Sequence, residues 1–358
     1  MENQNHARVL PEHPDLTQLR KQAKELKAAA PYPNLSQAHF AIAQEYGFPS
    51  WPKLVFAVRQ RLFGAAIKDG DLAAFDNLVS QTPRLARTPF DDGQYPLHLA
   101  VWHDDPVMIR RLVAAGAKLD CQVAGSGHTP LSWAVTGWKR DIAQHLVELG
   151  SEPDLFCAAG LGMTEAVAAM LASGKRSLSR VGSSRYDAQG NRVPGPPTSR
   201  RDQISDGLYM ACRNGHAETA RLLLEAGADV NWRAFIGATP LHWAVLAGSK
   251  DCIDLLVENG ASWTVRDEEF QATPAEFPGF VLVGWGFPDG QVLSYLASQP
   301  AAAAFQTPAG TLLHFAVLRD RPAVAKALVA AGADRQAKDS QGRTASQLAG
   351  ELGLGWSP

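Results

Sequence analysis

Apolar residues return every three or four positions over short stretches of this chain, and each stretch stops at a glycine. The order is clearest from Gly237 to Ser262, GATPLHWAVLAGSKDCIDLLVENGAS. Thr239 can cap a helix through its hydroxyl, and Pro240 suits the first turn, where its missing N–H would have no partner anyway. Leu241, Ala244 and Val245 give that helix an apolar stripe, and Gly248 offers the left-handed conformation that ends it. Ile253, Leu256 and Val257 stripe a second helix, closed at Gly260. Such a pair has one apolar side and too little bulk to bury it alone, so the pattern demands stacked neighbours.

The neighbours can be counted. Taking the inner-helix alanine as a marker, Ala66, Ala100, Ala134, Ala158, Ala211, Ala244, Ala316 and Ala349 are separated by 34, 34, 24, 53, 33, 72 and 33 residues. Well-formed units open at Tyr95-Pro96-Leu97-His98, Thr129-Pro130-Leu131-Ser132, Thr239-Pro240-Leu241-His242 and Thr311-Leu312-Leu313-His314. Together with Ala244, Gly248 and Asn259-Gly260-Ala261, these residues resemble the ankyrin repeats. That resemblance implies an all-α solenoid: helix pairs with short projecting β-hairpins, in a curved row whose concave side holds another macromolecule. It also implies that the histidine of each opening joins hairpin to helix through backbone hydrogen bonds.

Three spacings depart from the period of about 33 residues. The gap of 24 implies a unit near Asp154 to Leu171 that has lost most of its hairpin. The gap of 53 holds an insertion, 173–206, with seven basic residues against three acidic ones and many Ser, Gly and Pro, a composition that predicts a solvated, mobile loop. The gap of 72 spans a degenerate repeat over 267–300, where Pro278, Gly279, Gly284, Gly286, Pro288 and Gly290 are expected to break or shorten the inner helix.

Ahead of the array the pattern predicts a helix over Asp15 to Lys27, a second capped by Ser36 and ended by Gly47, and a third opened by Ser50-Trp51-Pro52 and running through Leu62. This segment resembles one found ahead of some bacterial ankyrin arrays, where it would cover the first repeat. The expected organisation is therefore a helical cap over 1–62, an array over 63–350 and a tail over 351–358.

Composition narrows the chemistry. Of 358 residues 46% are hydrophobic and 20% charged, and the formal net charge of −2 gives no general attraction to nucleic acid or an acidic bilayer. Nucleic acid is disfavoured further because Tyr186 is alone as an aromatic in the basic insertion. No apolar run suits a signal peptide or a membrane span, and Cys121, Cys157, Cys212 and Cys252 lack the paired spacing of a zinc site. Reduced, buried thiols and a cytoplasmic setting are expected, with no cofactor and no metal.

The expected partner is another protein, with a small molecule possible. By carry-over from the ankyrin pattern, Trp102, His103, Arg213, Leu246 and Arg319 face the concave side, with Trp138 at a neighbouring turn. Asp92, Gln94, His128, Phe235 and Ile236 lie on hairpins, and Trp285 belongs to an aromatic-rich stretch, Phe270 to Phe287. Trp133 and Trp243 are expected in the core. The rival reading is an enzyme using His103, Asp104 and Asp105 for acid/base work on a small molecule in the groove. A third, an effector or inhibitor of a foreign protein, differs in destination and not in chemistry.

Overall fold

The computed structural model describes residues 8–11, 14–28, 32, 34–124, 126–186, 191–193, 195 and 197–358. They form two compact units, 1–152 and 153–358. The first contains α1 (Leu16–Ala28), α2 (Leu35–Glu45), α3 (Trp51–Lys68), α4 (Leu72–Gln81), α5 (Pro96–Trp102), α6 (Pro106–Ala114), α7 (Pro130–Thr136) and α8 (Arg140–Glu148). In the second, α9 (Leu155–Gly160) and α10 (Thr164–Ala172) precede a hairpin of β1 (Arg185–Tyr186) and β2 (Arg192–Val193). Then come α11 (Arg200–Arg213), α12 (Ala217–Glu225), α13 (Pro240–Leu246), α14 (Lys250–Glu258), α15 (Phe277–Gly284) and α16 (Asp289–Ser298). The chain continues through β3 (Gln306–Thr307), paired with β4 (Gly310–Thr311), to α17 (Leu312–Leu318), α18 (Pro322–Ala330) and α19 (Ala345–Glu351).

Within each unit the inner helices pack in sequence. In the first, α3 meets α5 and α5 meets α7; in the second, α11, α13, α15, α17 and α19 follow one another. Apolar stripes such as Leu208, Ala211, Leu223, Leu241, Ala244, Leu255 and Leu256 merge into one buried cluster, as a row of one-sided helix pairs requires.

The expected boundary at 62/63 falls inside α3. No proline or left-handed turn interrupts this helix after its first turn, so Leu54 and Val58 bury against the N-terminal helices while Phe63, Ala66 and Ile67 serve the first repeat. Cap and array thus share one helix. Asn34, not Ser36, caps α2, its side chain accepting the Gln37 N–H at 2.9 Å.

Buried imidazoles pin the register between repeats. His242 Nδ1 accepts from the Thr239 N–H and hydroxyl at 3.0 and 2.8 Å, and Nε2 donates to the Ala272 carbonyl of the next repeat at 3.1 Å. His314 repeats this with Thr311 and Arg343, and His98 Nε2 donates to the His128 carbonyl at 3.0 Å. Each ring satisfies backbone groups that burial would otherwise leave unpaired, so these histidines belong to the fold.

The insertion is not a solvated loop in its described part. Leu178, Ser179, Val181 and Ser183 are buried. Their backbone is held by side chains: the Leu178 N–H donates to Gln203 Oε1, those of Arg180 and Val181 to Asp154 Oδ2, and that of Ser183 to Asp206 Oδ2. From Arg200 the chain is already helical, and α11 extends a full inner helix backwards. Composition obscured this because the anchorage comes from two scattered apolar residues, Leu178 and Val181, and from two carboxylates, the half-buried Asp154 outside the segment and the buried Asp206 at its end.

The degenerate repeat keeps its inner helix. Pro278 sits in the first turn of α15, where it is tolerated, and α15 is as long as its neighbours. Gly279 and Gly284 provide space: a Cβ on Gly284 would lie 2.5 Å from Phe270 Cε1, and one on Gly279 3.1 Å from Leu312 Cδ1. Phe270, Phe277 and Phe280 fill that space and are buried. Gly284→Ala should therefore destabilise the protein by about 1–3 kcal/mol, as overpacking typically does. Gly290→Ala, in open space on α16, should change stability by less than about 1 kcal/mol; denaturant melts of both variants check this.

Burial lowers the pKa of His98 and of His242 to about 4 from the usual 6.5. The unfolded chain therefore binds more protons between those values, so the stability these rings contribute is complete above pH 6.5 and is lost as pH falls towards 4. Asp206 and Asp267, raised by burial to about 7 and about 6, act in the opposite sense, losing their contribution as pH rises. Urea melts of the His98→Gln/His242→Gln variant across pH 7.5 to 4 should show a weaker acid loss than the unsubstituted chain, by an amount on the order of 1–3 kcal/mol.

Candidate functional site

The C-terminal ends of the inner helices and the turns beside them gather most of the singled-out residues. In the first unit, α3 ends at Lys68, α5 at Trp102 and α7 at Thr136, each followed by a cap residue whose N–H returns to its own helix. The residue four positions after each marker alanine turns the chain left-handed. At this place Gly70, Gly215 and Gly248 occur, but so do Asp104 (φ 54°) and Trp138 (φ 55°). A non-glycine residue there costs on the order of 1 kcal/mol, which the surrounding repeat must offset.

A cavity of about 880 Å3 opens in the first unit. Trp102, His103, Asp92 and Gln94 line it together, so four of the carried-over positions converge. Trp102 is 59% exposed, an unusual state for an indole. The cavity wall also includes Phe90, Trp133, Lys68 and Asp69. Lys68 and Asp69 stand two and three places after Ala66, as Trp102 and His103 stand after Ala100, so the same counting could have found them. Trp133, expected in the core, is half-buried, its indole tilted 44° against that of Trp102 at 6.2 Å.

His103, Asp104 and Asp105 do not converge on one site. Asp105 caps α6, accepting the Val107 and Met108 N–H groups at 3.0 and 2.9 Å. Asp104 pairs with Lys139 Nζ at 2.6 Å and lines a separate cavity with Trp138, while His103 faces the larger one. Three consecutive residues at a helix–turn–helix junction point three ways, which their adjacency in sequence concealed. His128 is tied locally, its Nδ1 3.0 Å from Ser132 Oγ and its carbonyl accepting from His98. Trp138 is 40% exposed.

In the second unit Arg213 does not project outward. It is buried, its guanidinium 3.9 Å from the centre of the Trp243 ring and 3.2 Å from the Tyr209 hydroxyl. Burial wins because the flat cation covers the indole face and shares its hydrogen bonds with Tyr209. Trp243 is fully buried, as expected. Trp285 is half-buried, with its Nε1 donating to Glu269 Oε1 at 2.9 Å, and it meets the exposed Phe235 edge to face at 6.1 Å. Phe235 sits left-handed at φ 58°, held by its N–H to the Ser184 carbonyl at 2.7 Å. Ile236 and Leu246 are half-buried and Arg319 is exposed. Cys121, Cys157, Cys212 and Cys252 are free buried thiols. No helix among the described residues is long and apolar enough to cross a membrane.

The chain is similar to parts of several proteins. It is 25% identical over 183 residues to the E3 ubiquitin-protein ligase KEG of Arabidopsis thaliana, covering 50% of this chain and 11% of that one. To Rabankyrin-5 of Homo sapiens it is 30% identical over 174 residues, 48% of this chain and 14% of that. A Rickettsia bellii protein named for its ankyrin repeats is 41% identical over 64 residues, 18% of this chain and 27% of that. The chain thus spans well under a third of the length of each of these relatives. The solved structure of the human ASB11 ankyrin repeat domain aligns with a TM-score of 0.33 at 21% identity, over 59% of this chain and 89% of that one. A family model of three ankyrin repeats matches residues 62–157 and again 155–267, and a single-repeat model matches 310–340. With the buried histidines in place and well over half of its length matched, the chain belongs to the ankyrin repeat family.

Proposed function

We propose that this chain is a non-catalytic scaffold that binds another protein through its inner-helix ends and hairpin tips. Ankyrin repeats generally mediate protein–protein interaction. The observation that carries the reading here is the exposed Trp102 beside His103, Asp92 and Gln94 on one cavity, an aromatic anchor position with polar groups around it. Strained left-handed residues at Asp104, Trp138 and Phe235 support it, because side chains there cost stability that a glycine would save. Trp285, Leu246, Ile236 and Arg319 are the candidate contact residues of the second unit. The dispersal of His103, Asp104 and Asp105 argues against acid/base catalysis, and free buried thiols suit a reducing compartment such as a cytoplasm.

Replacing Trp102 and His103 with Ala should lower capture of the partner protein from a native extract at least tenfold, a loss of about 1.4 kcal/mol. Because both side chains are exposed, unfolding should shift by no more than about 0.5 kcal/mol. Undiminished capture with intact folding would move the contact surface elsewhere.

A further inference from the structure

The chain's own repeats contain an occupied and an open version of one arrangement. Two places after Ala211 stands Arg213, and it meets the residue one place before the next marker, Trp243. The same two places in the first unit, after Ala100 and before Ala134, hold Trp102 and Trp133. Where the arginine is present, its guanidinium lies 3.9 Å from the indole centre and Trp243 is fully buried. Where Trp102 replaces it, the two rings meet only at 6.2 Å and a 44° tilt, and Trp133 is half-buried on the cavity wall.

We propose that this cavity receives the guanidinium of an arginine side chain from the partner, laid against the Trp133 indole as Arg213 lies on Trp243. The inference rests on the protein-binding reading and names the chemistry of what is bound. A guanidinium is planar and weakly hydrated, so it stacks on an indole with little desolvation cost, whereas an ammonium is compact and holds its water. Asp69 and Asp92 line the same cavity and supply acceptors for its fork of N–H donors. Two cations also line the cavity, Lys68 and Arg61, and the Arg61 guanidinium is held by the Leu10 and Pro11 carbonyls. An aliphatic side chain would instead desolvate those carboxylates without pairing them.

The test titrates the full chain, with its indole nitrogens labelled, with N-acetyl-L-argininamide, N-acetyl-L-lysinamide and N-acetyl-L-leucinamide, following the Trp102 and Trp133 signals by NMR. Argininamide should shift both along a saturating curve with a Kd at least fivefold below that of lysinamide, and leucinamide should shift neither. Trp102→Arg would supply the missing guanidinium from within, so the Trp133 response to argininamide should disappear while the unfolding temperature is kept. Asp69→Asn/Asp92→Asn should weaken argininamide at least threefold, an independent check should Trp102→Arg fold poorly. Argininamide binding no tighter than lysinamide, or unchanged in either variant, overturns the proposal. If the Trp102→Ala/His103→Ala chain loses its protein partner while argininamide leaves both indoles unmoved, the arginine assignment falls and the protein-binding reading stands.

Discussion

Each helix pair in this protein has one apolar side that only a neighbouring pair can cover, and the rest of the architecture follows from meeting that need. A single pair such as α13 and α14 could not bury Leu241, Ala244, Leu255 and Leu256 without α11, α12 and α15 beside it. Apolar contact alone would allow the pairs to slide. The imidazoles of His98, His242 and His314 remove that freedom, because each spans from its own helix to one particular carbonyl of the next repeat. Their burial, which holds His98 and His242 far below the usual histidine range, is the same fact seen as electrostatics.

The need for cover also explains where function can reside. In the second unit the face of Trp243 is closed by Arg213, and Tyr209, Phe277 and Trp285 surround it. In the first unit the matching indole, Trp133, meets the tilted ring of Trp102 and the edge of His98. One scaffold thus carries a saturated and an unsaturated copy of the same contact. A surface that repeats elsewhere in the molecule in completed form is a more specific guide to a ligand than exposure by itself.

Much of this was legible in the chain. The alanine period gave every inner helix except α15, the Thr-Pro openings gave the starts of α7 and α13, and the same counting placed Trp102 and His103 at a helix end. Counting failed where long-range burial overrode composition. Pro278 and Gly284 read as breakers, but the first is harmless in an opening turn and the second makes room for Phe270. The 173–206 segment read as solvated because nothing local shows that Asp154 and Asp206 will take its backbone N–H groups. Arg213 read as a surface residue for a similar reason: its partner, Trp243, is thirty residues away, and a cation on an indole leaves no periodic trace.

The first unit leaves open an indole face whose counterpart in the second unit is closed by Arg213. Relaxation of the indole N–H signals by a soluble paramagnetic gadolinium chelate reads that difference directly, in the free protein and without a partner. Strong relaxation of Trp102 and Trp133 beside a protected Trp243 is the expected result. Equal protection of Trp133 and Trp243 would contradict the claim, since the face would then already be covered from within.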